Sequence, residues 1–215
     1  MKQQLSIIGA IVWNLLIAFM AYTLCRIVFL TLNWSLYAGT LTLGHTMELF
    51  GAGLLFDTPA ILYTNAIILL MFLLPLHWKE RPGFYRVARW IYTIVNSIAV
   101  YMNLMDCVYF PFTGKRTTAS VFAEFSNEGT GEMLKIFGGQ FLSHWYLVLL
   151  AGLITWAFWK LFRPIPKRVT RPTHLGRYYV IQVLALLLAI PLCIGAIRGG
   201  FTKATRPITI SNANQ

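Results

Sequence analysis

Apolar residues in this chain run in long stretches, without the strict alternation of a half-buried strand or the one-sided stripe of a surface helix. From Leu5 to Leu32 only one charged residue, Arg26, interrupts the pattern. Comparable runs cover Pro59 to Leu76, Val87 to Phe112, Phe141 to Phe162 and Tyr178 to Ile197. Each is roughly 18 to 28 residues long, close to the ~20 that a helix needs to cross a ~30 Å hydrocarbon layer. The pattern predicts an all-α integral membrane fold with five transmembrane helices at 5–32, 59–76, 87–112, 141–162 and 178–197. The first run is too long for the apolar core of a secretory signal peptide and lacks its cleavage site, so it is expected to remain as a helix. Pro59 suits the first turn of the second helix, where a missing N–H costs nothing, and Pro191 predicts a kink in the fifth.

The stretch Leu36 to Phe56 is apolar enough to suggest a sixth crossing, but it contains Gly39, Gly44, Gly51 and Gly53 together with His45 and Glu48. Basic residues decide between the two topologies, because Lys and Arg concentrate on the cytoplasmic side. With five crossings and the N-terminus inside, eleven basic residues lie inside and six outside; counting the extra crossing gives seven inside and ten outside. Five crossings are therefore expected, with the C-terminus outside. The Leu36 to Phe56 stretch then becomes an outer-face hairpin or an interfacial, partly re-entrant helix, with His45 and Glu48 on one face.

Composition agrees with this reading. Of 215 residues 57% are hydrophobic and 12% charged, against about 45–50% and about 25% in soluble domains. The net charge of +11 would suggest nucleic acid in a soluble protein. Here the basic residues sit between apolar runs, where they orient the helices, and no nucleic-acid partner is expected. Cys25, Cys107 and Cys193 all lie inside apolar runs and form neither a disulfide framework nor a metal-binding spacing.

Arg26 and Asp106 are the charged residues at similar depth in the outer third of the first and third crossings. A charge inside the membrane costs about 2.5 kcal/mol or more and needs a partner. They are expected to pair, or to share one polar pocket with Asn103. Tyr92, Asn96, Ala99, Asn103 and Asp106 fall on one face of the third helix, matched by Asn14, Ala18, Tyr22 and Arg26 on the first. That third helix should therefore be central. The outer segment PFTGKRTTASVFAEFSNEGTGEMLKIFGGQ holds three of the seven acidic residues. In it, Lys115 and Arg116 could meet a lipid phosphate, and Glu124 and Glu128 would share a helix face. With His45, Glu48 and Asn127 these are candidate residues at a lipid or substrate entrance. Glu124, Glu128 and His144 could also approach a metal, although no HExxH-like spacing supports this, and neither a metal nor a catalytic residue is assigned to the chain.

The outer segment YFPFTGKRTTASVFAEFSNE and the exit RGGF followed by RPITISNA carry a resemblance. The chain resembles the N-terminal membrane domain of lipoteichoic acid synthase-like proteins of the sulfatase and alkaline phosphatase superfamily, in the Bacteroides form. The resemblance implies a bacterial inner-membrane location. It also implies a 1–197 membrane domain followed by an outer linker, 198–215, that leads into the protein's own extracellular catalytic domain. In such enzymes a threonine nucleophile beside a divalent metal (Mn, Zn or Mg) moves a phosphoglycerol or phosphoethanolamine group from a membrane lipid. This chain would then anchor the enzyme and present lipid headgroups to it. The alternative is a self-contained transport or assembly protein with a polar path around Arg26 and Asp106.

Overall fold

A computed structural model of the chain describes residues 2–37, 39, 42–74, 82–113, 139, 143–164 and 175–198, and every element among them is a helix. In order these are α1 (Lys2–Leu32), α2 (Trp34–Tyr37), α3 (Leu43–Thr64), α4 (Ala66–Leu73), α5 (Pro82–Thr113), α6 (Trp145–Leu161) and α7 (Leu175–Arg198). A chain in hydrocarbon must satisfy its backbone polar groups internally, which these sequences do by staying helical throughout their apolar runs.

The stretches Ile7–Leu32, Gly83–Pro111 and Tyr179–Arg198, belonging to α1, α5 and α7, are each long and apolar enough to cross a membrane. The pair α3 and α4 passes the same test jointly, bent by 61° at the break between them. Helix α6 is apolar but has 17 residues, about 25 Å of rise and the short end of what can span. Among the described residues the protein is all-helical, with three candidate crossings, or four if the bent pair counts as one, consistent with a multi-pass membrane protein.

The second helix departs from its expected boundaries. It does not begin at Pro59: α3 starts at Leu43 and carries Pro59 inside it. Thr42 caps its start, its side-chain oxygen accepting a hydrogen bond from the His45 N–H at 3.3 Å. Most of the stretch expected to be a hairpin or interfacial helix is therefore continuous with the second apolar run. Proline is tolerated here because membrane helices can re-satisfy the freed carbonyls locally. Immediately before it, the Thr58 hydroxyl donates to the Leu54 carbonyl at 2.8 Å, next to the Leu55 carbonyl that Pro59 leaves without its helical donor. The helix breaks six residues further on, at Asn65, whose backbone (φ −95°, ψ 8°) leaves the helical region. The other boundaries move by a few residues: α1 begins at Lys2, α5 spans Pro82–Thr113, α6 starts only at Trp145, and α7 covers Leu175–Arg198.

Side-chain contacts fix the register. Tyr92 of α5 donates to the Asn14 carbonyl of α1 at 2.7 Å, and Asn33, just past α1, donates to the Cys107 carbonyl of α5 at 3.2 Å. Helices α1 and α5 therefore run parallel. Arg26 meets Asp57 and Asn65 meets Asn96, so α3 runs the other way. As expected, α5 is central, packing against α1, α3, α4 and α6, and its Tyr92, Asn96 and Val100 are fully buried. Around Tyr92 the rings of Phe158 and Phe162 close in at 5.6 and 5.3 Å between centroids, and Phe72 meets Phe162 at 6.3 Å. Helix α7 lies on α3 and α4. Only 11% of its apolar window is buried inside the protein, which leaves Val180, Leu184, Leu187, Leu188 and Leu192 exposed. So continuous an apolar surface suits lipid tails and not water.

Candidate functional site

Near one end of the bundle, α1, α3 and α5 bring charged side chains together. Arg26 Nη2 donates to Asp57 Oδ2 at 2.6 Å, and the two side chains are only 10% and 15% exposed. The guanidinium lies flat against α3 because position 53 is glycine. A Cβ there would overlap the guanidinium carbon and both of its terminal nitrogens. One turn earlier on α3, the Phe50 ring lies 5.9 Å from the guanidinium carbon, a cation–π contact. Phe50, Gly53 and Asp57 fall at positions i, i+3 and i+7, so they form one stripe along the face of α3 that meets α1.

A small cleft opens beside this pair, lined by Tyr22, Cys25, Arg26, Phe29, Asp57, Asn103 and Asp106. Its enclosed space is small, about 20 Å³, room for roughly one water molecule. Asn103 donates its amide to the Ala99 carbonyl at 2.9 Å, which leaves its side-chain oxygen as an acceptor. Arg26 Nη1 is buried and has no hydrogen-bond partner among the described residues. Such a donor is costly unless something fills the position beside it.

Of the two expected arrangements, direct pairing of Arg26 with Asp106 or one polar pocket shared with Asn103, the structure has the shared pocket: all three line the same cleft, and the close ion pair of Arg26 runs to Asp57. The reason lies in the helix boundary. With the second helix starting at Pro59, Asp57 fell in a connection, whereas it lies well inside α3 and faces α1. His45 and Glu48 are in the first two turns of α3, three residues apart and exposed, and do not line the cleft. Lys115, Arg116, Glu124, Asn127 and Glu128 lie outside the described residues. His144 occupies the position before α6 without a side-chain capping bond, its ring 5.9 Å from that of Tyr146. Among the described residues no group of three or more His, Cys, Asp or Glu could hold a metal ion.

Towards the opposite end of the bundle several asparagines are hydrogen-bonded across helices, while the buried Arg89 Nε and the Thr93 and Ser97 hydroxyls have no hydrogen-bond partner among the described residues. Asn14 donates to the Arg163 carbonyl at 3.0 Å and accepts from the Arg163 N–H at 2.9 Å. Asn65 and Asn96 exchange two side-chain hydrogen bonds, 3.0 and 2.8 Å, and are 1% and 0% exposed. Asn96 also donates to the Tyr92 carbonyl at 2.8 Å. Around this end the basic side chains rest on aromatic rings: Arg89 on Tyr85 and Trp159, Lys160 on Trp156, and Arg163 on Trp13. The Trp13 indole donates to the Leu161 carbonyl at 3.0 Å. No family model, curated protein or solved structure matches the chain. Its chemistry must be read from this geometry.

Sequence reasoning missed Asp57, Gly53 and Asn65. A carboxylate 31 residues after the only charge in the first run, four residues after a glycine that permits close approach, was the signal available for the first two. Nothing in the local sequence marks Asn65 as a break, since apolar helix lies on either side of it.

Proposed function

We propose that the chain is a membrane domain that seats a lipid headgroup in the Arg26 cleft and presents it for chemistry at the outer membrane surface. The observation that supports this reading is the Arg26 cleft itself, where a buried cation keeps an unfilled donor beside an opening lined by α1, α3 and α5. A transporter needs hydrated or ionisable groups through the full thickness of the membrane. The amide clasp of Asn65 and Asn96 and the seal of Asn14 on Arg163 argue against such a path.

Orientation belongs to the same proposal. The collar of Arg89, Lys160 and Arg163 on tryptophan and tyrosine rings has the composition of a cytoplasmic membrane–water interface. The Arg26 end then faces outward. Five crossings follow if the bent α3–α4 pair is one of them and the short α6 another. The resemblance to lipoteichoic acid synthase-like proteins adds the nature of the chemistry: phosphoglycerol or phosphoethanolamine transfer at the outer face of a bacterial inner membrane. In this reading a metal-dependent catalytic domain beyond residue 215 performs the reaction.

Single cysteines in a cysteine-free background test the orientation by labelling with an impermeant reagent. Position 211 should label from outside and position 167 from inside, and the reverse pattern would remove the proposal. For the parent enzyme, Arg26→Gln should lower turnover of a lipid donor at least tenfold more than turnover of a soluble phosphodiester, because only the lipid is positioned by the membrane domain. Equal losses on both substrates would refute the presenting role.

A further inference from the structure

The basic collar at the Asn14 end of the bundle carries positive charge that no carboxylate among the described residues balances. Arg89 lies over two rings, 5.7 Å from Tyr85 and 5.2 Å from Trp159, and Lys160 rests on Trp156 at 6.0 Å. Neither has an ion-pair partner among the described residues, and the buried Arg89 Nε has no hydrogen-bond partner there. The acidic side chains of those residues, Glu48, Asp57 and Asp106, all belong to the Arg26 end. Basic residues held at a membrane boundary attract anionic headgroups. A guanidinium stacked on rings still presents its terminal N–H groups, the fork that fits a phosphate.

The surface next to these cations is apolar. Helix α6 ends beside the first third of α5 and packs along it, so the two run antiparallel. Trp90 and Trp159 meet across them at 4.7 Å between centroids. Two turns deeper, on the face of α6 that carries Trp159, stands Gly152, exposed and with nothing within 4 Å of where a Cβ would be. Opposite it on α5 come Ile94 and Ile98, four and eight residues after Trp90, and beside it on α6 come Leu149 and Trp156; all four are exposed. The missing side chain at position 152 therefore leaves a notch between two apolar ridges that lead away from the cations. We infer that this groove between α5 and α6 holds one anionic phospholipid, its phosphate on Arg89 and Lys160 and an acyl chain in the notch at Gly152. Charge selects the occupant: a zwitterionic headgroup brings its own cation to the collar, and a lipid of net negative charge does not. A soluble anion gains nothing from the ridges, which a chain tied covalently to the phosphate fills. The site lies at the other end of the bundle from the Arg26 cleft and depends neither on the lipid-presenting role nor on which way the bundle faces. A lipid held there braces α5 against α6.

The test uses the full chain in nanodiscs of mixed dioleoyl lipids, with retained lipid counted by native mass spectrometry. Phosphatidic acid and phosphatidylglycerol should each be retained about tenfold more than phosphatidylcholine or phosphatidylethanolamine, at one molecule per chain. Arg89→Gln and Lys160→Gln should each lower that preference about fivefold, and the double variant should bring it to parity. Gly152→Trp changes no charge and places its ring in open space, so the chain should fold while retention of the anionic lipids falls about fivefold. Lys160 is exposed, and its variant together with the lipid series keeps the inference testable if Arg89→Gln does not fold. Equal retention of all four lipids would overturn the inference. Loss of preference in the charge variants with no effect of Gly152→Trp would mean diffuse attraction to the collar and would overturn the groove. Displacement of the retained lipid by millimolar glycerol 3-phosphate would assign the cations to a soluble anion and would likewise overturn it.

Discussion

Replacing Gly53 by alanine adds one methyl group at the point where α3 carries the guanidinium of Arg26. The new Cβ overlaps the guanidinium carbon and both terminal nitrogens, so the side chain must move although it is nine-tenths buried and bonded to Asp57. An off-rotamer arginine costs about 0.5–1.5 kcal/mol. Weakening its charge-assisted hydrogen bond adds about 1.5–3 kcal/mol. Against this stands the better helix propensity of alanine, about 1 kcal/mol in its favour. The net expectation is a destabilisation of about 1–3.5 kcal/mol. Gly51, two residues away on the same helix, provides the control: it is exposed, and an added Cβ there meets nothing within 4 Å. Gly51→Ala should therefore stabilise by up to about 1 kcal/mol. Reversible unfolding in mixed micelles measures both. In an Arg26→Met, Asp57→Asn background the obstacle is gone, and Gly53→Ala should behave like Gly51→Ala. The same loss in both backgrounds would refute the assignment of Gly53 as the bed of the guanidinium.

Three further outcomes are expected. Double-mutant cycles of Arg26→Met with Asp57→Asn should show a coupling above about 1 kcal/mol, and cycles with Asp106→Asn a smaller one, since the close contact runs to Asp57; the opposite order would reassign the pair. Asn65→Leu and Asn96→Leu should each cost about 1–3 kcal/mol in mixed micelles by orphaning the other amide, while the double variant costs less than the sum; additive losses would mean that the amides do not act as a unit. Tyr92→Phe removes the 2.7 Å bond to the Asn14 carbonyl and should cost about 1–2 kcal/mol without changing the helical content seen by circular dichroism; a loss of helix would show that the ring and its hydroxyl organise the bundle.

Helix type and most boundaries were legible in the sequence because a long apolar run in lipid has few alternatives to a helix. The central place of α5 was legible as well: two asparagines and a carboxylate on one face cannot meet lipid tails, and Asn96 is indeed fully buried. The start of the second helix was not legible. Glycines and a proline that would break a helix in water are tolerated in hydrocarbon, where leaving the helix exposes backbone groups with no solvent to receive them. That single misplacement hid Asp57 and so changed the partner of Arg26. The break at Asn65 was hidden for another reason, since it depends on Asn96 across the bundle, 31 residues away. A local pattern carries no trace of a partner in another helix.

The bend at Asn65 also has a consequence in distance. Helix α4 has 8 residues and is about 12 Å long. Tilted by 61° from α3, it advances only about 6 Å along the α3 direction and about 10 Å sideways, close to the diameter of one helix. One passage of chain therefore occupies two lanes of the bundle. Its first arm stands beside α1, and its second steps across towards α5 and brings Phe72 against Phe162, after the end of α6. A straight helix would have left that lane to a sixth segment or to lipid.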